Sequence, residues 1–116
     1  MRVWEDRLGR WLLAALFVAG TVQKITDPSA AIGLLEGKGL PGLLVWPATA
    51  ANALGAGCLI ANRFVRPAAL ALALYTAFTS WFHFIPDDPW QMSIFVKNWA
   101  ITGGLLILAS TRRSWL

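Results

Sequence analysis

Four long apolar runs dominate this chain and fix most of what it can become. They cover about 8–25, 41–61, 64–85 and 92–110 of 116 residues. A helix needs roughly 20 predominantly apolar residues to cross the hydrocarbon core of a bilayer. Four such runs use up most of the length and leave no room for a second domain. Charge agrees: 57% of the residues are hydrophobic and 14% charged, too few to solvate a soluble surface, which typically accompanies about 25% charged residues. The expected fold is therefore all-α: an integral membrane four-helix transmembrane bundle forming a single domain over 1–116. Pro47 and several glycines and alanines interrupt the second run, which membrane helices tolerate where neighbours satisfy the freed backbone groups.

The distribution of charge suggests orientation. Arg2, Arg7, Arg10, Arg63, Arg66, Arg112 and Arg113 fall at the two termini or in the loop between the second and third runs. The opposite side holds Lys24, Lys38 and Lys97 with Asp27, Glu36, Asp87 and Asp88. The positive-inside rule then places both termini in the cytoplasm. Net charge of +4 is thus topological and makes no nucleic-acid patch; the partner it implies is the lipid bilayer. Trp4, Trp11 and Trp115 would anchor the inner interface, and Trp46, Trp81 and Trp90 the outer one. Between the first two runs, Asp27-Pro28 is a helix-start signal and Gly37 a stop. A short helix at about 28–36 is expected on the outer surface, with Ile32, Leu34 and Leu35 resting on the bundle or the interface, as an anchor or a lid.

Depth makes the polar residues informative, because such side chains within a membrane usually face the bundle interior or a wet cavity. Thr21, Gln23 and Lys24 end the first span. Thr49 and Asn52 share a face of the second, and Thr76, Thr79, Ser80 and His83 follow an i, i+3, i+4, i+7 stripe on the third. Lys97 and Asn98 lie about 6–7 Å below the outer edge of the fourth at 1.5 Å per residue. All but the mid-membrane Asn52 fall in the outer half, whereas 13–19, 53–61, 67–74 and 105–109 are bare of strongly polar side chains. A cavity opening outward is expected, with Lys24, Asn52, Thr79, His83, Lys97 and Asn98 as candidate ligand-binding residues. Each also has a structural reading. Asn52 can bond across helices, the hydroxyls can bond their own helix carbonyls, His83 can cap and Lys97 can snorkel.

No cofactor motif accompanies these residues. Gly33 to Gly39 has too short a spacing for a phosphate loop and lacks the Ser or Thr that holds magnesium. One histidine and one cysteine provide no paired-histidine haem site, disulfide, iron–sulfur cluster or zinc site, so neither a metal site nor a catalytic residue is expected. Redox chemistry would require a diffusible cofactor such as quinone, or a partner subunit.

Several segments, in order, resemble those of the DoxX family of small four-helix bacterial membrane proteins. They are Gly20-Thr21-Val22-Gln23-Lys24-Ile25-Thr26-Asp27 at the end of the first span, Arg66-Pro67-Ala68-Ala69-Leu70 opening the third, His83 closing it, and Lys97-Asn98 running to Gly103-Gly104-Leu105-Leu106 in the fourth. Many relatives carry a glutamate where Asn52 aligns, and asparagine cannot exchange a proton near neutral pH. The resemblance implies a bacterial inner-membrane location and a membrane subunit of a quinone-linked redox system, with other membrane subunits or further copies as partners. A non-catalytic accessory or assembly subunit of a larger complex is the alternative, and whether the chain itself catalyses anything stays open.

Overall fold

The computed structural model describes residues 3–116; Arg2, one of the arginines behind the charge asymmetry, lies outside them. Helix α1 spans Val3–Thr26, α2 Ser29–Gly37, α3 Val45–Ala61, α4 Val65–Ser80 and α5 Pro89–Ser110. Tight 3₁₀ turns at Gly42–Leu44 and Trp81–His83 lead into α3 and out of α4. Among the described residues there is no strand. The long axis measures 42 Å, close to the ~40–45 Å of a bilayer with its headgroup regions.

Local chemistry explains the boundaries. Pro47 sits in the first turn of α3, where its missing N–H would lack a partner anyway, so it breaks nothing. The Asp27 carboxylate accepts from Ser29 Oγ at 2.5 Å and Ser29 N at 3.3 Å just ahead of α2, which starts at Ser29, one residue after the expected 28, with Pro28 in the cap position. That helix runs one residue beyond the expected 36: Gly37 is its last residue, and Gly39, in place of Gly37, supplies the left-handed turn at φ +77°. Gly39 N and Leu40 N donate to Glu36 O and Leu35 O, the paired bonds of a Schellman ending. On α5, Asp88 accepts from Trp90 N and Gln91 N with Pro89 in the first turn, so α5 begins three residues before the expected 92.

Among the described residues, three segments are long and apolar enough to cross a membrane: Val3–Thr26, Gly42–Ala61 and Pro89–Ser110. The expected third span of 64–85 is not one continuous helix. Its α-helical part has 16 residues, about 24 Å against a ~30 Å core. Beyond Ser80 the chain tightens to 3₁₀ and then opens at Phe84, since Ile85 precedes Pro86 and is pushed from the helical region. Phe82 packs edge-on to Phe78 at 5.2 Å there.

Helix α1 lies along α3, and α4 along α5, with α3 against α4 joining the two pairs. Ala14, Phe17, Ala56, Leu59, Ala69, Leu72, Leu105 and Leu108 form the core. Small residues allow close approach, as membrane helices require where van der Waals contact drives association. Outward faces carry Leu54, Leu74 and Ile107 at 71, 74 and 69% exposure, an apolar surface suited to lipid.

Arginines close the end that holds both termini. Asp6 takes Arg10 Nε at 2.9 Å and both Arg112 nitrogens at 2.8 and 2.9 Å, tying α1 to the chain's end. Buried Arg10 also donates to Leu59 O at 2.6 Å, and Arg66 to Ala109 O at 3.0 Å. Those carbonyls belong to the last turns of α3 and α5, whose C=O groups have no partner within their own helix. Each guanidinium thus completes a neighbour's hydrogen bonding and faces the negative end of its dipole. Among the described residues, Phe64 N also donates to Leu116 O at 2.8 Å.

Candidate functional site

At the opposite end the two helix pairs part around a cavity of about 470 Å³. Near the arginine end α1 and α5 are in contact: the Asp6–Arg112 pair joins them, and a β-carbon on Gly104 would stand 3.7 Å from Leu13. Farther along, Gly20, Gln23 and Lys24 of α1 face the same space as Ile94, Lys97 and Asn98 of α5. Asn52 of α3 and Tyr75, Thr76 and Thr79 of α4 complete the walls, and Ala31, Leu34 and Leu35 of α2 form the roof. Lys38 at the end of α2 places its ammonium 5.1 Å from the Trp81 ring, linking the roof to the turn that ends in His83. Ile32 packs toward Gly42 instead, where a β-carbon would stand 2.8 Å from its Cγ2.

All six residues singled out from the sequence, Lys24, Asn52, Thr79, His83, Lys97 and Asn98, line this one cavity. Their surroundings differ. Asn52 and Asn98 are 2% and 8% exposed, Lys24, Thr79 and His83 are half-buried, and Lys97 is exposed at the rim. Among the described residues no carboxylate forms an ion pair with either lysine.

Most hydroxyls have a partner in their own helix. Thr76 Oγ1 donates to Leu72 O at 2.7 Å, Thr79 Oγ1 to Thr76 O at 3.0 Å, and Ser80 Oγ to Thr76 O at 3.0 Å. With its proton used this way, Thr79 has only lone pairs left for a ligand. His83 Nδ1 and Gln91 Oε1 are hydrogen-bonded at 2.6 Å, joining the turn beyond α4 to the first turn of α5. Asn52 stands apart. Its Oδ1 is buried and has no hydrogen-bond partner, although buried amide oxygens are nearly always satisfied. Its Nδ2 lies beside Gly20, 3.0 Å from where a β-carbon would sit, and Lys24 Nζ lies 3.5 Å from the same point. Lys24 therefore folds back one turn toward the cavity floor rather than extending to the rim.

Tyr75 and Gln91 line the cavity and were not evident from periodicity alone. Gln91, Ile94 and Asn98 follow i, i+3, i+7 on α5, a face visible once the helix is begun at Pro89. Tyr75 lies one turn before Thr79 on α4. Among the described residues no cluster of three His, Cys, Asp or Glu could hold a metal ion.

A family model described as DoxX matches residues 6–85, covering α1 to α4 and ending before α5. No curated protein and no solved structure matches the chain.

Proposed function

Because this chain belongs to the DoxX family, we propose that it is the membrane subunit of a quinone-linked redox system, with a quinone head group seated in the cavity. One observation carries this reading: six polar side chains from α1, α3, α4 with its turn, and α5 converge on one cavity in which the buried amide oxygen of Asn52 lacks a partner. The volume suits a small ring, since ligand pockets run from about 300 to 1,000 Å³. Lys24, Lys97 and the Asn98 amide supply donors for ring oxygens, and Leu16, Phe17 and Ile94 supply apolar contact.

In this reading α4 and its 3₁₀ turn serve as a fourth crossing. Together they reach about 30 Å at 1.5 and 2.0 Å rise per residue, and exposed Leu74 faces lipid. The arginine end lies in the cytoplasm by the positive-inside rule, so the cavity opens outward from a bacterial inner membrane. Redox chemistry belongs to the quinone and to a partner subunit; this chain binds, orients and shields the ring.

Titrating nanodisc-embedded protein with a short-chain benzoquinone tests the proposal. Saturable binding that Lys24→Met and Lys97→Met weaken supports it, and partitioning no different from empty nanodiscs refutes it.

A further inference from the structure

One buried acceptor bears on which form of the ligand the cavity holds. Asn52, 2% exposed, lines the cavity, and its Oδ1 has no hydrogen-bond partner. Thr79, whose proton goes to Thr76 O, adds lone pairs from α4. A diketone ring brings only acceptors and would leave Asn52 Oδ1 unmet. A ring with two hydroxyls brings a donor at each end, while its oxygen lone pairs still face Lys24 and Lys97.

Resting on the quinone reading above, we infer that the cavity selects the reduced, dihydroxy form of its ligand over the oxidised diketone, with one ligand O–H donating to Asn52 Oδ1. A site built to receive a hydroxyl discriminates strongly against an analogue lacking it, because the buried partner is then left unpaired.

The test compares three ligands on the unmodified protein in nanodiscs by calorimetry under anaerobic conditions. They are a short-chain benzoquinol, its benzoquinone and the dimethyl ether of the quinol, which keeps the ring and loses both O–H donors. The quinol is expected to bind about tenfold tighter than the other two, the effect of one satisfied buried acceptor. In Asn52→Leu the quinol preference shrinks to about threefold or less while quinone affinity holds. Quinone binding as tight as quinol, or ether binding as tight as quinol, overturns the inference and leaves the quinone reading intact. Binding of none of the three overturns both.

Discussion

Gly55→Ala isolates the contact on which the α3–α4 junction depends. A β-carbon at Gly55 would stand 2.6 Å from Leu72 Cδ2 and 2.7 Å from both Cδ1 and Cγ. Carbon atoms prefer about 3.5–4.0 Å, so three contacts would each be short by roughly 1 Å. Leu72 is 2% exposed and shares with Gly55 the wall of a groove between α3 and α4. Because Cγ is among the clashing atoms, a change at the tip alone cannot relieve the overlap, and the helices must separate. Overpacking typically costs 1–3 kcal/mol; about 2–3 kcal/mol is expected here. Reversible unfolding of the purified protein in mixed micelles measures it. Leu72→Ala alone should cost about 2–5 kcal/mol, but Gly55→Ala with Leu72→Ala should cost at least 1 kcal/mol less than the two together. Additivity within about 0.5 kcal/mol, or an unchanged Gly55→Ala protein, would refute direct packing between these residues.

Three further substitutions probe the rest of the molecule. Asn52→Leu removes a buried oxygen that has no donor and should raise ligand-free stability by about 1 kcal/mol; calorimetric or denaturant unfolding that shows a loss of 2 kcal/mol would mean the amide is needed for packing. Arg10→Met leaves Leu59 O without its donor and Asp6 with a single arginine, and should destabilise by about 2–4 kcal/mol; a melting curve like the parent's would show the clasp contributes little. Gly20→Val places bulk 3.0 Å from Asn52 Nδ2 and 3.5 Å from Lys24 Nζ, and should reduce quinone affinity at least tenfold while the far-ultraviolet helix signal stays unchanged. Retained affinity would detach the cavity floor from binding.

The sequence carried the parts of this structure that follow from solvent. Burial depth and helical period brought Asn52, Thr79, His83 and Asn98 to one cavity because a polar side chain in lipid has few alternatives to facing inward. Lys24 and Lys97 followed from the same reasoning. Tertiary contacts were less legible. Arg10 and Arg66 look like topology signals in one dimension, yet each donates to carbonyls 43 to 49 residues away, and no local pattern encodes that pairing. The third run reads as one continuous span because it stays predominantly apolar through Ile85, while its α-helix ends at Ser80 and Pro86 bars its continuation. Asp88-Pro89 repeats the start signal of Asp27-Pro28 and would have placed the beginning of α5 correctly.

The central claim is that the bundle is open and wet at one end and sealed at the other. Asn98 and Leu105 lie seven residues apart on α5, one lining the cavity and the other fully buried in the core. With Cys58 replaced by alanine, single cysteines at these positions can be treated with a membrane-impermeant thiol reagent in oriented vesicles. Asn98→Cys should react only from the side away from the arginine end, and Leu105→Cys from neither side. Reaction at 98 from the arginine side, equal labelling of both positions, or protection of both would contradict the account.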